Sequence, residues 1–299
     1  MSGASSERLI DAHDAWQRLL AVRTGPDAAA AGLPRDAGGR YGWWDGASAE
    51  AALLAERYLP LCLAGPRFAF AQLGQSLDGF IATREGDADY VTGPEDREHL
   101  HRLRALSDAV VVGAGTAVAD DPRLTVRACA GPDPVRVVID PHGRVPLDRQ
   151  VFTDGAAPTL WVVGEQNRAA ADGLTASTVD VLVLPDKAAF SPGRLLSELA
   201  DRGLGRVLVE GGGVTVSRFL HEQALDRLYV TVAPVLIGDG VRGLAFEGPA
   251  IMRDALRPPV RRAFLGEDTL FEFDLRAPGA GEPLDDEDDG TGQGRREDQ

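Results

Sequence analysis

Short apolar runs rich in β-branched residues alternate along the chain with segments whose apolar residues recur at helical spacing. The runs are bounded by Gly, Pro or Asp, which is typical of buried strands in an α/β protein. The pattern predicts strands at 67–75, 109–112, 134–140, 159–163, 179–184, 206–210, 226–235, 261–266 and 269–275. It predicts intervening helices at 94–106, 165–171, 192–202 and 214–222.

This order predicts an α/β fold built on a mostly parallel sheet. Strands separated by short helices need crossover connections, which cover both faces of the sheet. The last two strands are separated only by Glu267 and Asp268, so we expect an antiparallel hairpin at the C-terminal end. Polar groups at the carboxyl ends of such parallel strands commonly form the ligand site.

The two ends of the chain differ from this central pattern. Residues 5–22 have the apolar stripe of an amphipathic helix capped by Ser5 or Ser6, residues 24–46 have the composition of a linker, and 48–58 predict a second helix. We therefore predict a helical N-terminal extension at 1–65, a main domain at 66–276 and a disordered acidic tail at 277–299. Trp16, Trp43 and Trp44 are too many large rings for so short an extension to bury alone, so we expect it to dock on the main domain.

Composition narrows the class of protein. The 299 residues carry 31 basic and 46 acidic side chains, a net charge of −15, which argues against a nucleic-acid partner. Cys62 and Cys129 stand outside any paired motif, so we expect a reducing, cytoplasmic setting. The sequence shows neither a signal peptide nor an apolar run long enough for a membrane span.

A glycine triplet follows the predicted strand 206–210. Glycines between a buried strand and a helix let the backbone approach a ligand closely, and the helix N-terminus favours an anion such as phosphate. Taken alone, Gly211, Gly212 and Gly213 fit a tight turn without a ligand equally well. The histidines lack metal-ligand spacing. The Asp120-Asp121 pair could invite a metal but fits a helix-end cap before Pro122 better, so no metal is expected.

Three segments together resemble a known family. SLDGFIAT at 76–83, YVTGPEDREHLHRLRALSDAVVVGAGTAVADDPRLTVR at 90–127 and VLVEGGG at 207–213 are similar to the reductase domain of bacterial riboflavin biosynthesis, within the dihydrofolate-reductase-like superfamily. The resemblance covers about 68–275. It implies a homodimer that uses NADPH to reduce a small ribosylaminopyrimidine, the hydride adding to the sugar C1′ of a ring-opened imine. Residues 1–65 lack the His-x-Glu and Pro-Cys-x-x-Cys zinc signature of the family's deaminase half, so the reductase is expected to stand alone.

The resemblance also assigns residues to roles. It places substrate contacts at Arg104, Leu124, Arg127 and Glu210. The implied cofactor contacts are Gly74, Tyr90, Thr116, Asp120, Gly212, Gly213, Val214 and Thr215. Glu210 and Asp120 are the candidate catalytic acids, and the four-residue spacing of Thr116 and Asp120 directs both side chains the same way.

Simpler interpretations stay open for several of these residues. Arg104 alone fits an ion pair with an acid on its own helix, Arg127 a solvated strand end, and Glu210 a cap on the helix after the glycines. Asp78 is interpreted as a turn former because it precedes Gly79.

Departures from the family pattern bear on the substrate. Gln72 stands where the family usually has Lys, Ala88 where it has Ser, and Tyr90 where it has Trp. A paralogous reductase of another pyrimidine, pterin or specialised metabolite is therefore the main alternative. A non-catalytic nucleotide-binding protein and a structural role centred on the extension are two others.

Overall fold

The computed structural model describes residues 9–43, 46–174 and 178–276. The strands are β1 Phe68–Ser76, β2 Phe80–Thr83, β3 Ala109–Gly113, β4 Val135–Asp140, β5 Thr159–Gly164, β6 Val179–Leu184, β7 Arg206–Val209, β8 Arg227–Ala233, β9 Gly240–Arg242, β10 Val260–Leu265 and β11 Asp268–Asp274. The α-helices are α1 Ala12–Leu20, α2 Gly25–Ala30, α3 Ala49–Cys62, α4 Pro94–Ala105, α5 Ala114–Ala119, α6 Gln150–Thr153, α7 Pro192–Ala200 and α8 Gly213–His221. Short 3₁₀ helices cover Glu165–Gly173, Lys187–Phe190 and Met252–Asp254.

One large sheet forms the centre of the fold, with the strand order β10-β11-β8-β1-β7-β3-β4-β5-β6. The strands from β8 to β6 are parallel, and β10 and β11 add an antiparallel hairpin at one edge. This confirms the predicted fold class. The central strands β1, β7 and β3 bury nearly every side chain, because helices cover both faces of the sheet.

A two-stranded ribbon of β2 and β9 lies outside the large sheet and was not predicted. The ribbon leads to Gly243, whose carbonyl covers the start of α8. A Cβ on Gly213 would lie only 1.7 Å from that carbonyl oxygen, so only glycine fits there. The ribbon therefore fixes the position of the first residue of α8 relative to the large sheet.

The N-terminal extension departs from its prediction in two respects. The predicted caps Ser5 and Ser6 lie outside the described residues, and α1 begins later, where the Asp11 carboxylate accepts from the backbone N–H of Asp14 at 2.9 Å. The segment predicted as a linker contains α2, capped by Thr24, and buries Leu33 completely. Its Gly, Pro and Ala content fits a short capped helix as well as a coil, so composition alone misassigned it. Trp44 and the acidic tail also lie outside the described residues.

The extension packs on α4 of the main domain. Trp16 donates from Nε1 to the carbonyl of Ala130 at 2.7 Å and meets the ring of Tyr58 edge to face. The guanidinium of Arg102, on α4, lies over both rings. Apolar residues of the extension and of the sheet form one continuous core, so the two parts share a hydrophobic interior.

The Tyr58 hydroxyl forms a buried hydrogen bond with Nδ1 of His99 at 2.8 Å. Burial, together with Arg57 and Arg102, lowers the pKa of His99 to about 3, so the ring is neutral. We expect Tyr58→Phe to lower the free energy of unfolding by about 1–2 kcal/mol, because it leaves a buried ring nitrogen without its partner. Urea denaturation measures the change. The matched control Tyr90→Phe removes a hydroxyl from a side chain that is 81% exposed, and should cost no more than about 0.5 kcal/mol. Equal stability of Tyr58→Phe and the parent would show that this contact does not hold the extension.

Candidate active site

Two cavities meet at the carboxyl edge of the parallel strands. The larger has a volume of about 540 Å³ and the smaller about 250 Å³. Both are lined by Ile81, Thr116, Asp120 and Gly211, so a group bound in one can touch a group bound in the other. Two adjoining compartments are what a reaction between a cofactor and a separate substrate requires.

The glycine turn after β7 forms one wall of the larger cavity. Gly211 has φ +95°, and a Cβ there would lie 2.7 Å from the Thr116 hydroxyl oxygen, so the position requires glycine. That hydroxyl accepts from the backbone N–H of Gly212 at 2.9 Å and so fixes the turn. The start of α8 faces the cavity next to it, and the first N–H groups of a helix favour an anion.

The structure separates the predicted cofactor residues into groups. Five of them line the larger cavity, namely Thr116, Asp120, Gly212, Val214 and Thr215. Gly213 lies beneath the Gly243 carbonyl, and Gly74 lines the smaller cavity instead. Tyr90 lines neither cavity: its ring is mostly exposed and pairs with Arg97, and its backbone is left-handed at φ +64°.

A buried ion pair spans the floor of the smaller cavity. Nε and Nη2 of Arg104 donate to Oε1 and Oε2 of Glu210, each at 2.7 Å, and both side chains are buried. Burial would lower the pKa of Arg104, but the charge and hydrogen bonds of Glu210 outweigh it and raise that pKa. The two simpler interpretations are therefore wrong: Arg104 pairs across the fold rather than along its helix, and no side-chain hydrogen bond caps α8.

Two further predicted substrate residues follow the α5 turn. Leu124 is buried, has φ +56° and lines the smaller cavity. Arg127 is exposed and does not line it, although Nη1 of Arg127 and Nη1 of Arg104 both donate to the carbonyl of Thr125. Partial desolvation and the charges of Arg104 and Arg123 lower the pKa of Arg127. The two guanidinium groups thus approach one another, but only Arg104 contacts the cavity.

The two candidate acids occupy different environments in one cleft. Glu210 lies on the floor of the smaller cavity, held by Arg104. Asp120 is solvent-accessible at the junction of the cavities, where desolvation by nearby atoms raises the pKa of its carboxyl. In the described ranges no three His, Cys, Asp or Glu side chains are placed to hold a metal ion.

A polar cluster beside the smaller cavity was missed by sequence reasoning. The carboxylate of Asp96, which is only 3% exposed, accepts from the Thr231 hydroxyl at 2.6 Å and from the Gln72 amide at 3.3 Å. Burial is the main cause of the raised pKa of Asp96. Asp96, Leu100 and Arg104 are each four residues apart on α4, and this spacing was the available signal.

Basic side chains lie around the far end of the larger cavity, and Arg144 and Lys187 among them were missed by sequence reasoning. Arg144 and Arg218 line it, and a cavity of about 330 Å³ continues from it past Arg218 to Lys187. Asp186 lines this further cavity as well, but its carboxylate caps the following turn by accepting from the Ala189 N–H. The basic residues lie far apart in sequence, so no sequence motif identifies them as a group.

The mostly parallel sheet with flanking helices and an antiparallel C-terminal hairpin is a dihydrofolate-reductase-like α/β fold. Among the described residues, no helix combines the length and apolar character needed to cross a bilayer. Within that class the chain belongs to the RibD C-terminal domain family, whose model matches residues 67–259.

Two proteins with similar sequences agree with this family assignment. The chain is 34% identical over 201 residues to the riboflavin biosynthesis protein RibD of Aquifex aeolicus, covering 67% of this chain and 55% of that protein. It is 34% identical over 207 residues to the 2,5-diamino-6-ribosylamino-4(3H)-pyrimidinone 5′-phosphate reductase of Methanothermobacter thermautotrophicus, covering 67% of this chain and 94% of that one.

Solved structures show the same architecture. The structure of RibD from Acinetobacter baumannii superposes with a TM-score of 0.59 at 27% identity, covering 75% of this chain and 62% of that one. A deaminase and 5-amino-6-(5-phosphoribosylamino)uracil reductase from Thermotoga maritima gives 0.58 at 25% identity, covering 75% and 60%. The chain thus spans little more than half the length of the RibD proteins it matches.

Proposed function

We propose that the protein is an NADPH-dependent reductase of a ribosylaminopyrimidine 5′-phosphate. The observation that carries the proposal is the junction of two cavities at Thr116, Asp120 and Gly211. A cofactor in the larger cavity and a sugar in the smaller one would meet there. Aligning two bound reactants in this way removes much of the entropic barrier to their reaction.

The larger cavity fits a nicotinamide dinucleotide. Gly212 leaves room for a pyrophosphate close to the backbone, because a Cβ there would meet only the Thr116 hydroxyl oxygen at 3.4 Å. The start of α8 lines the same cavity, and the first N–H groups of a helix favour an anion. The basic side chains of Arg144, Lys187 and Arg218 lie around the far end of this cavity, where their positive charges would stabilise a 2′-phosphate. We therefore propose NADPH rather than NADH. When bound, the nicotinamide supplies the hydride.

The smaller cavity provides the groups that the substrate needs. Glu210 keeps lone pairs free beside its bonds to Arg104, so it can accept from the N–H and hydroxyl groups of an opened ribosylamine. The C1′=N imine gains a hydride at C1′ and a proton at nitrogen, which leaves a ribityl amine. Asp120 lies at the junction with a raised pKa, so it is suited to hold that proton.

The proposal is tested by NADPH oxidation against a panel of substrates. The two ribosylaminopyrimidine 5′-phosphates named for the relatives should be consumed with NADPH, and NADPH should outperform NADH. Turnover of a pterin but neither ribosylaminopyrimidine would favour the paralogous reductase. Cofactor binding without turnover of any compound would favour a non-catalytic nucleotide-binding protein.

We also propose a cytoplasmic homodimer. Cys62 and Cys129 are both free thiols, which fits a reducing compartment. The outer edge of β10 is unpaired among the described strands and carries Phe264, which is 78% exposed. Sedimentation of the full chain would distinguish a dimer from a monomer.

A further inference from the structure

Helix α4 has one face in the active site and another against the N-terminal extension. Leu100 and Arg104 line the smaller cavity from this helix. The imidazole of His99 and the guanidinium of Arg102 lie on its other side, where both contact Tyr58 of the extension. A hydrogen-bonded helix is stiff over so few residues, so contacts that hold its outer face also hold the two residues that line the cavity.

The extension also holds the loop between α5 and β4. Nε1 of Trp16 donates to the carbonyl of Ala130, in this loop, at 2.7 Å. The next residue, Gly131, has φ +149° and lies between the extension and the end of α4. A Cβ there would lie 2.5 Å from Cβ of Ala105 on α4 and 3.4 Å from Cδ2 of Leu20 on α1. The loop is thus enclosed between the two helices.

An earlier part of the same loop belongs to the substrate side of the active site. Leu124 lines the smaller cavity, and the carbonyl of Thr125 accepts from Nη1 of Arg104 at 3.0 Å. The backbone N–H of Arg127 donates to Nδ1 of His101, on α4, at 2.9 Å. The loop and α4 therefore form one connected wall of the smaller cavity, and the extension packs on that wall from outside.

The larger cavity is separate from these contacts. Among the described residues, the main-domain partners in the extension's hydrogen bonds and ring contacts are His99, Arg102, Leu106, Ala130, Arg206 and Arg261. The lining of the larger cavity includes none of them. A change at the surface of the extension should therefore reach the substrate side of the cleft and leave the cofactor side unaltered.

We propose that the N-terminal extension positions the wall of the substrate cavity, and that Trp16 is its main positioning residue. This inference rests on the proposed function, which assigns the smaller cavity to the ribosylaminopyrimidine 5′-phosphate. The family model matches residues 67–259, so the role falls to a segment outside the match. A wall that is already held in place need not be ordered when the substrate binds, and this preorganisation tightens binding.

The test compares Trp16→Phe with Trp43→Phe in the full chain. Trp16→Phe keeps an aromatic ring near Arg102 but cannot donate to Ala130. Trp43 makes the same type of bond inside the extension, from Nε1 to the carbonyl of Ala51 at 3.2 Å, so Trp43→Phe is the matched control. We expect Trp16→Phe to raise KM for the ribosylaminopyrimidine 5′-phosphate about three- to tenfold, the scale of one lost neutral hydrogen bond. The Kd of NADPH should stay unchanged, and Trp43→Phe should keep both parent values.

KM distinguishes positioning from a loss of folded protein. A variant that only unfolds more easily has less active enzyme, so its apparent kcat falls while its folded molecules keep the parent KM. Gly131→Ala tests the same contact from the main-domain side. The added Cβ forces the loop away from Ala105, at a backbone angle that favours glycine, and should raise the same KM without changing the Kd of NADPH.

Each contrary outcome has a distinct meaning. A parent KM in Trp16→Phe or Gly131→Ala, or an equal rise in KM in Trp43→Phe, overturns the positioning role. A rise in the Kd of NADPH that matches the rise in KM also overturns it, because the effect would then not be confined to the substrate side. If the parent reduces neither of the ribosylaminopyrimidine 5′-phosphates named for the relatives, the proposed function itself is wrong and the inference falls with it.

Discussion

Gly212→Val should abolish the stabilisation of the protein by NADPH. A Cβ at this position would meet only the Thr116 hydroxyl oxygen, at 3.4 Å, so the folded chain can accommodate a side chain there. That side chain would occupy the space in the larger cavity beside the glycine turn. We expect NADPH at 100 times the parent Kd to add about 2.7 kcal/mol to the parent's free energy of unfolding and nothing measurable to the variant's. The measurement is the thermal shift at increasing NADPH concentration.

Gly193→Val is the matched control for that substitution. Gly193 lies in the first turn of α7, away from the two active-site cavities, and has no atom within 4 Å of a built Cβ. This variant should keep the full NADPH shift. A full shift in Gly212→Val as well would mean that the pyrophosphate binds elsewhere, and the cofactor assignment would be wrong.

Glu210→Gln should slow the hydride step by about 10- to 1000-fold, which is about 1.4–4 kcal/mol of barrier. The amide keeps the shape of the side chain but loses the charge that the substrate and Arg104 require. It also leaves a buried guanidinium without its counter-charge, so we expect a loss of stability of about 3–5 kcal/mol. NADPH affinity should change little, because the glycine turn is untouched. Single-turnover NADPH oxidation at saturating cofactor measures the rate of the step.

Glu272→Gln separates the catalytic effect from the stability effect. Glu272 is also buried, accepts from Arg261 and forms an ion pair with Arg227 at 2.9 Å, but it lies on β11, outside the two cavities. This control should lose stability and keep the hydride rate. A parent rate in Glu210→Gln, at a temperature where the variant is folded, would show that Glu210 serves only to hold Arg104.

Much of the fold followed from local pattern. The β-branched run at 109–112 specifies a strand through nearby residues alone, and the parallel sheet follows from the order of such runs and the helices between them. The resemblance then led to Thr116, Glu210 and Arg104, which the structure brings to one cleft.

The rest depended on contacts between distant residues. Nothing local indicates that Arg104 pairs with Glu210, 106 residues away, or that Gly213 lies beneath Gly243. The Asp96 cluster joins β1, α4 and β8, so its composition became visible only once the sheet order was known. Tyr90 was matched by motif as a cofactor contact, and in the structure it lies outside the linings of both cavities.

Isotope transfer shows whether a hydride passes from the cofactor to the sugar C1′. The protein is given NADPH deuterated at both C4 positions and the ribosylaminopyrimidine 5′-phosphate that it consumes. Mass spectrometry and NMR of the product then locate the label. We expect one deuterium per product molecule, at C1′ of a ribityl chain. A product without deuterium, or with deuterium on the pyrimidine ring, would contradict it.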